Sequence, residues 1–255
     1  DITTLSTQKK DKQVQAFFLA KEDLVFVGRD IIVQGLSECM VNQIQKDGAF
    51  VKQGEPIAVL SGPIETILRK ERVILNLIQR LSGVASKTKE LVENIKEFNI
   101  QLLDTRKTTP GLREFEKYAV CVGGGTNHRF SLKDAVMIKD NHLIGNSDFH
   151  NSVNNAFDKN PDKDIQIEVD TKEQLEQALT TKATSILLDN FDPKILPETI
   201  EYIRSHKKGQ SVYIELSGGI NSDNIHRFCV KGVNGISMGA LTHNIKSKDI
   251  SLDLK

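Results

Sequence analysis

Short runs of apolar residues recur along the chain after residue 99, and each run ends in polar or charged residues. The runs are apolar at successive positions rather than alternating, which is typical of strands buried on both faces of a parallel sheet. Helical or mixed segments separate them, and their ends lie roughly 20 to 35 residues apart, as crossover connections between parallel strands require. The runs are QLLDTRK, AVMIKDN, IQIEVD, SILLDNF, VYIELSGG and GISMGA.

The number of runs favours one of the two common parallel architectures. Six consecutive units predict an α/β fold with parallel strands in an incomplete (β/α) barrel over residues 100–243, rather than an open doubly wound sheet. In such a barrel the reacting groups collect at the carboxyl ends of the strands. Functional residues are therefore expected at the ends of these runs.

Residues 1–99 have a different pattern. Between Gln13 and Leu60, stretches rich in β-branched and aromatic residues alternate with Gly and Asp-Gly turns, which predicts a small sheet with one or two helices. Pro63 then opens a long helical pattern, which can bend or end at Ser82-Gly83. We expect residues 1–99 to form an N-terminal domain to which residues 244–255 return.

Composition excludes several classes of function. The formal net charge of +0 leaves no general attraction for nucleic acid or for an acidic membrane surface, so cationic function must be local. The apolar runs are too short to span a bilayer, and no secretion signal is visible at Asp1. Three scattered cysteines indicate a reducing compartment. We expect a cytoplasmic protein with neither nucleic-acid nor membrane partners.

Charged residues are concentrated where the six runs end. Buried charges are unfavourable unless they are paired, so this rim is either a network of ion pairs or a site for a charged ligand, and the residue types alone leave both open. The rim residues are Asp104, Arg106, Lys107, Lys139, Asp140, Glu168, Asp170, Asp189, Glu215 and Ser217.

Glycines follow the last two runs, as SGG at Ser217 to Gly219 and MGA around Gly239. Phosphate binds to exposed backbone N–H groups that a side chain would obstruct, and barrels commonly bind phosphate after their last two strands. The pattern favours a phosphate site. The alternative is that these glycines only end the strands.

Cationic residues surround the same rim and suggest a ligand with more than one anionic centre. They are Arg106, Lys107, Arg113, His128, Arg129 and Lys139. The carboxylates Glu168 and Asp189 suit Mg²⁺ or sugar hydroxyls, or act as counter-ions for the lysines. The histidines lack the spacing of a zinc site. Cys121, beside the glycine run, is interpreted as a packing residue more readily than as a reactive one.

The sequence resembles the quinolinate phosphoribosyltransferase family, also called nicotinate-nucleotide pyrophosphorylase (carboxylating), along nearly its whole length. Several long motifs in a fixed order make this resemblance more specific than a single glycine fingerprint. The motifs are DITT, ERVILNLIQRLSGVAS, LLDTRKTTPGLREFEKYAV, GGGTNHRFSLKDAVMIKDNH, IEVDT, LLDNF, ELSGGI and GVNGISMGALTH.

The resemblance implies a small N-terminal α/β sandwich joined to an incomplete α/β barrel. It implies an enzyme of NAD biosynthesis that makes nicotinate mononucleotide, pyrophosphate and CO₂ from quinolinate and phosphoribosyl pyrophosphate, with Mg²⁺ as cofactor. It also implies a homodimer whose subunits complete each other's active sites, with a hexamer as a larger alternative. In this homodimer Arg72 would reach into the neighbouring site.

The resemblance also assigns roles to matching positions. The residues expected to hold the quinolinate carboxylates, with Lys107 in the same pocket, are Arg106, His128, Arg129 and Lys139. The residues expected to cradle the 5′-phosphate are Ser217, Gly218, Gly219 and Gly239. Glu168 and Asp189 would meet the ribose hydroxyls and Mg²⁺, directly or through water or substrate. The candidate catalytic residues are Lys107, Lys139, Glu168 and Asp189.

Two departures and three alternatives accompany the resemblance. The family's helical segment before DITT has no counterpart in the sequence, and Cys121 stands where a basic residue is expected. A relative associated with molybdenum transport would not need the cations that hold a dicarboxylate. The segment KDGAFVKQGEPIAVLSG resembles half of a lipoyl or biotinyl carrier but lacks its lysine hairpin. A non-catalytic sensor of phosphorylated sugars is the third alternative.

Overall fold

The structure is a computed structural model that describes residues 1–8, 12–143 and 149–255. The chain divides into two compact units: a first unit of residues 1–90, 114–124 and 241–255, and a second unit of residues 91–113 and 125–240. The first contains a small antiparallel sheet and the second a parallel sheet.

Strands and helices follow in chain order. The strands are β1 (Gln13–Ala20), β2 (Leu24–Val25), β3 (Met40–Ile44), β4 (Phe50–Val51), β5 (Pro56–Pro63), β6 (Gln101–Leu103), β7 (Val136–Ile138), β8 (Ile165–Val169), β9 (Ser185–Asp189), β10 (Tyr213–Ser217), β11 (Gly235–Ser237) and β12 (Ile250–Leu254). The helices are α1 (Ile2–Thr7), α2 (Arg29–Gly35), α3 (Ile64–Ile95), α4 (Arg113–Val122), α5 (Asp140–Leu143), α6 (Phe149–Lys159), α7 (Lys172–Leu179), α8 (Leu196–Ser205) and α9 (Ala240–His243).

The first unit is built on a sheet in the order β12-β1-β5-β3. β12 pairs antiparallel with β1, from Ala16 opposite Leu254 to Ala20 opposite Ile250. Alternate residues of β1, including Phe18, are fully buried, because successive side chains of a strand point to opposite faces. The helix α3 covers this core with Ile67, Ile74 and Ile78.

The helix α3 runs without a break through Ser82-Gly83, where the sequence allowed a bend or an end. A side chain at position 83 would have its Cβ only 2.5 Å from the backbone oxygen of Lys246. Glycine at this position therefore admits a crossing backbone and does not end the helix. Despite its 32 residues, α3 is not a candidate to span a membrane, and neither is any other helix in the described residues.

The short helix α4 groups with the first unit, although its residues 114–122 lie within the range that the sequence assigned to the barrel. Glu116 is fully buried and accepts a hydrogen bond from Arg80 Nε at 2.7 Å. Tyr118 donates from its hydroxyl to Asp47 at 2.8 Å. These partners lie 36 and 71 residues away in sequence, so local patterns did not indicate them.

The second unit contains the six strands that the apolar runs predict. They form a parallel sheet in the order β6-β11-β10-β9-β8-β7, with β6 and β7 at the two edges. The strands are buried along most of their length, as shown by Ile165, Ile167, Ile186 and Ile214. Helices α7 and α8 connect consecutive strands of this sheet. The prediction of a parallel α/β sheet is confirmed.

Candidate active site

A cavity of about 360 Å³ lies at the carboxyl ends of the parallel strands of the second unit. Its lining combines cationic, acidic and small polar side chains with two apolar ones. The lining residues are Thr105, Arg106, Lys107, His128, Arg129, Met137, Lys139, Glu168, Leu187, Asp189, Glu215, Ser217 and Ser237.

Eight residues singled out as candidate site residues line this one cavity. They are Arg106, Lys107, His128, Arg129, Lys139, Glu168, Asp189 and Ser217. Six of them lie at a strand end or in the loop that follows one, where a barrel gathers its reacting groups. His128 and Arg129 lie instead between α4 and β7, just after Thr126, which bridges to Leu103 at the end of β6. The location predicted for the site is therefore the place where the structure has a cavity.

The loop that carries His128 and Arg129 is fixed by β6. Thr126 forms an isolated parallel bridge with Leu103, so the loop lies along the edge of the sheet. Asp104, which is fully buried, accepts hydrogen bonds from the His128 backbone N–H at 2.8 Å and from Asn127 Nδ2 at 2.7 Å. One buried carboxylate thus holds the loop in place, and the side chains of His128 and Arg129 reach the cavity.

Arg129 is held by neutral groups. Its Nη1 donates to the Ala135 carbonyl oxygen at 3.2 Å, and its Nη2 lies 3.3 Å from Met137 Sδ. Burial, together with the positive charge of Arg106, lowers the pKa of Arg129, although Glu168 and Asp134 act in the opposite direction. Guanidinium groups stay charged in proteins. An anion entering the cavity would therefore relieve the cost of burying this charge.

Lys139 is paired with a carboxylate, unlike Arg129. Its Nζ donates to Glu168 Oε2 across the cavity, from β7 to β8. Asp189, at the end of β9, accepts from Asn190 Nδ2 at 2.7 Å. The cavity thus has a side with uncompensated arginine charge and a side where lysine and carboxylates balance each other.

The turn after β10 has the backbone conformation that only glycine adopts readily. Gly218 has φ 96° and Gly219 has φ 61°. A Cβ on Gly218 would come within 2.3 Å of Asn190 Oδ1, whereas one on Gly219 would meet nothing within 4 Å. The turn therefore brings bare backbone to the rim of the cavity beside Ser217, as phosphate binding requires.

Several singled-out residues do not line the cavity. Arg72 lies on α3 in the first unit with 69% of its side chain exposed. Arg113 instead fixes the loop after β6, because it donates to Thr108 Oγ1 at 3.1 Å and to the carbonyl oxygen of Arg106 at 3.3 Å. Cys121 is exposed on α4. Gly239 directly precedes α9. The side chain of Asp140 lies outside the described residues.

The carboxylates of the cavity fit Mg²⁺ only in part. Glu168 and Asp189 both line it, and they are hard oxygen ligands of the kind that Mg²⁺ prefers. Within the described ranges, no group of three or more His, Cys, Asp or Glu side chains is arranged to hold a metal ion. These two residues suit an ion that takes its remaining ligands from water and from substrate phosphates.

Some lining residues were given no role on sequence grounds. Glu215 was expected among the charged residues of the rim but was given no individual role; it lies two positions before Ser217 in β10, so the two face the same side. The same argument applies to Leu187 and Asp189 in β9. Ser237 and Met137 sit in very short strands, for which the pattern gives no comparable signal.

Comparison with known proteins agrees with this geometry. Residues 84–253 match the C-terminal domain of quinolinate phosphoribosyl transferase, and residues 1–82 match its N-terminal domain. A probable nicotinate-nucleotide pyrophosphorylase (carboxylating) from Bacillus subtilis (strain 168) is 42% identical over 249 residues, which cover 96% of this chain and 84% of the relative.

A plant relative and a solved structure extend the comparison. The chloroplastic nicotinate-nucleotide pyrophosphorylase (carboxylating) of Arabidopsis thaliana is 36% identical over 277 residues, covering 100% of this chain and 78% of the relative. The structure of the nicotinate-nucleotide pyrophosphorylase from Francisella tularensis has a TM-score of 0.91 at 37% identity, and covers 100% of this chain and 90% of that one. The predicted fold class, an incomplete α/β barrel with a small N-terminal α/β domain, is confirmed. The chain belongs to the quinolinate phosphoribosyltransferase family.

Proposed function

We propose that this protein is a decarboxylating quinolinate phosphoribosyltransferase of NAD biosynthesis. It transfers the phosphoribosyl group of phosphoribosyl pyrophosphate to quinolinate and releases nicotinate mononucleotide, pyrophosphate and CO₂. The main support is a single cavity that combines four cationic side chains with a glycine turn at a strand end. A pyridine dicarboxylate and a phosphorylated sugar together need both features.

The chemistry needs no protein nucleophile. The ring nitrogen of quinolinate attacks C1′ of the ribose as the bond from C1′ to pyrophosphate breaks, and pyrophosphate leaves with the bonding electrons. The positively charged ring then accepts the electrons of the bond to the neighbouring carboxylate, so CO₂ leaves and a proton takes its place. The protein contributes orientation and electrostatic stabilisation.

The arginine side of the cavity is the proposed site for quinolinate. Neither Arg106 nor Arg129 forms an ion pair within the described residues, so their charges are available to carboxylates of a ligand. An arginine can bind a carboxylate through two hydrogen bonds. Lys139 completes the binding site once it exchanges Glu168 for a substrate carboxylate, and Lys107 lines the same space.

The rim beyond β10 is the proposed site for the sugar phosphate. Ser217, Gly218 and Gly219 are proposed to bind the phosphate through the backbone N–H groups of a turn whose positive φ angles favour glycine. Gly239, which follows β11 in the neighbouring position of the sheet, is the fourth proposed contact. Glu168 and Asp189 line the same cavity and are the proposed contacts for the ribose hydroxyls.

Phosphoribosyl pyrophosphate is proposed to bind here with Mg²⁺ as its counter-ion. The bound ion would neutralise the negative charge of the leaving group. Glu168 and Asp189 would hold it through their oxygens or through water. Lys107 and Lys139 would supply the remaining positive charge around the reacting atoms.

The active unit is proposed to be a homodimer in which Arg72 enters the partner's cavity. Support comes from α3, where 69% of the Arg72 side chain is exposed and is therefore accessible to a second subunit. Sedimentation would give the oligomer, including any hexamer.

Mixed dimers test the shared site. If Arg72→Ala and Lys139→Ala proteins are mixed and allowed to exchange subunits, half of the dimers are mixed and each has one intact site. Activity should therefore recover to about a quarter of that of the wild type. If the mixture is no more active than the separate variants, Arg72 does not contribute to the cavity of the partner subunit.

A cytoplasmic location is proposed from cysteine usage. None of the three cysteines forms a disulfide within the described residues; Cys39 is buried and Cys121 is exposed. Cysteines outside disulfides suit a reducing compartment. Fractionation of cells that express the protein would test this.

A turnover assay tests the function directly. We expect the purified protein with quinolinate, phosphoribosyl pyrophosphate and Mg²⁺ to release equal amounts of CO₂ and nicotinate mononucleotide. Arg129→Gln is the matched variant, because it removes the charge and keeps a hydrogen-bonding side chain. Binding of phosphoribosyl pyrophosphate without turnover would instead indicate a sensor of phosphorylated sugars.

A further inference from the structure

Glu215 is a carboxylate of the cavity that lies beside a histidine rather than beside a lysine or arginine. It is 2% exposed in the middle of β10. Its Oε2 accepts from Gln166 Nε2 at 2.7 Å and lies 3.3 Å from His128 Nε2. Its Oε1 has no hydrogen-bond partner among the described residues. A buried carboxylate that is only half satisfied calls for an explanation.

The other nitrogen of the His128 ring is also engaged. The backbone N–H of Arg129 donates to His128 Nδ1 at 2.7 Å. A nitrogen that accepts a hydrogen bond carries no proton, so the hydrogen-bond network assigns the ring proton to Nε2. Nε2 faces Glu215, which accepts hydrogen bonds when ionised. Both contacts therefore select the same tautomer.

This tautomer matters for a ligand with carboxylates. A ring N–H attracts a carboxylate, whereas a ring lone pair repels it. The separation of 3.3 Å between Nε2 and Glu215 is long for a hydrogen bond, so the N–H has capacity for a second acceptor in the cavity. His128 can thus donate to a ligand while Glu215 keeps its orientation.

The charge of Glu215 supports this arrangement. Burial by itself would raise its pKa, but the interactions with the neighbouring side chains of His128, Ser237 and Gln166 outweigh burial and hold the pKa below its ordinary value. The carboxylate is therefore ionised at neutral pH. The other charged groups that line the cavity around it are Arg106, Lys107, Arg129, Lys139, Glu168 and Asp189.

We propose that Glu215 is a positioning residue for the quinolinate end of the cavity: it holds His128 with its proton on Nε2, so that the ring presents a donor to a substrate carboxylate. Glu215 acts through His128 and makes no contact with substrate. The identity of the ligand rests on the proposed function, whereas the tautomer does not.

Nitrogen NMR of the free protein tests the tautomer without substrate. With ¹⁵N-labelled histidine, the ring of His128 should give the pattern of an imidazole with its proton on Nε2 and with Nδ1 as the acceptor. The His128 signal is the one that remains in each of five single variants of the other histidines. No cavity residue is substituted in this assignment, so it does not depend on a cavity variant that folds. A ring protonated on Nδ1, or one that averages between both tautomers, would overturn the proposal.

A double-mutant cycle tests the positioning role through binding. Calorimetry should show that Glu215→Gln weakens quinolinate binding by about tenfold and leaves binding of phosphoribosyl pyrophosphate unchanged. His128→Gln should weaken quinolinate binding at least as much, and the double variant no further, because Glu215 acts through His128. Glu201→Gln, an exposed substitution on α8, is the matched control and should change neither affinity.

The outcomes separate this proposal from the function on which it depends. Additive losses in the double variant would show that Glu215 acts independently of His128 and would overturn the positioning role alone. A wild-type protein that does not bind quinolinate would overturn the proposed function, and with it the ligand assigned here.

Discussion

Two arginines of this protein, Arg80 in the first unit and Arg129 in the second, are both partly buried but have opposite surroundings. Arg80 donates to the buried carboxylate of Glu116 at 2.7 Å and to the Thr242 carbonyl oxygen at 2.8 Å. Arg129 has a backbone carbonyl and a thioether as its partners. The charge of Arg80 is balanced within the protein, and that of Arg129 is not.

The difference separates a structural from a functional cation. In a buried ion pair with good geometry the two charges neutralise each other without a ligand. Removing one partner leaves the other charge uncompensated. A cation held only by neutral acceptors gains most when an anion arrives, which is the property a binding site needs. The partners of a buried arginine therefore indicate its role better than its burial does.

The largest expected effect comes from a substitution that tests the structural role of Arg80. Arg80→Met leaves the fully buried Glu116 without its ion-pair partner and should lower the free energy of unfolding by about 3 kcal/mol. Urea denaturation measures this. Lys70→Met, which removes an exposed pair with Glu38, is the control and should leave stability unchanged. Equal losses in both variants would contradict the distinction.

The substitution Arg129→Gln tests the functional role of Arg129. We expect kcat/KM for quinolinate to fall about 10- to 100-fold, equivalent to about 1.5–3 kcal/mol, because a charge-assisted contact is lost. The thermal midpoint should stay the same, since the replaced contacts are neutral. Steady-state kinetics and calorimetric unfolding measure the two quantities. A variant that loses stability and keeps its activity would reverse the assignment.

Two neighbouring glycines sharpen the comparison within the second unit. Both have positive φ, so Gly219→Ala should lower stability by about 1 kcal/mol, and Gly218→Ala should lower it further because its Cβ would also clash with Asn190. Only Gly218→Ala displaces Asn190, beside Asp189, and so only this variant should also weaken binding of phosphoribosyl pyrophosphate. Calorimetric titration decides between them. If both variants bind phosphoribosyl pyrophosphate with equal affinity, the assignment of Gly218 to the phosphate site is wrong.

The smallest expected effect concerns pH. Because the folded protein holds the pKa of Glu215 below the ordinary value of 4.5, this residue contributes stability above pH 4.5 that is lost as the pH falls through its folded pKa. The difference in unfolding free energy between wild type and Glu215→Gln should therefore narrow on acidification from pH 7. Urea denaturation across this range measures it. A difference that widens would mean that the folded state raises this pKa.

The parallel sheet could be predicted because its signal is local. Strands buried on both faces have to be apolar throughout, and each of the six runs contains one strand of the sheet. The site followed from the same signal, since residues directly after such runs share one edge. Lys139, Glu168 and Asp189 were placed at that edge in this way.

Contacts between distant residues could not be predicted in this manner. The ion pair between Arg80 and Glu116 joins α4 to the first unit across 36 residues, and no periodic pattern in the sequence predicts it. The local pattern allowed a bend or an end at Gly83, because the backbone that packs against this glycine belongs to residue 246, far along the chain. The tautomer of His128 likewise depends on Glu215, which lies in a strand far along the chain.

The position of β12 at the edge of the first sheet has a consequence for synthesis on the ribosome. Until Ile250–Leu254 has emerged, β1 has unpaired backbone groups along one side, although its own residues were made more than 200 positions earlier. The parallel sheet has all its strands by residue 237, so it can be complete while the N-terminal sheet still lacks one. The N-terminal sheet therefore cannot be complete until the last residues of the chain are available.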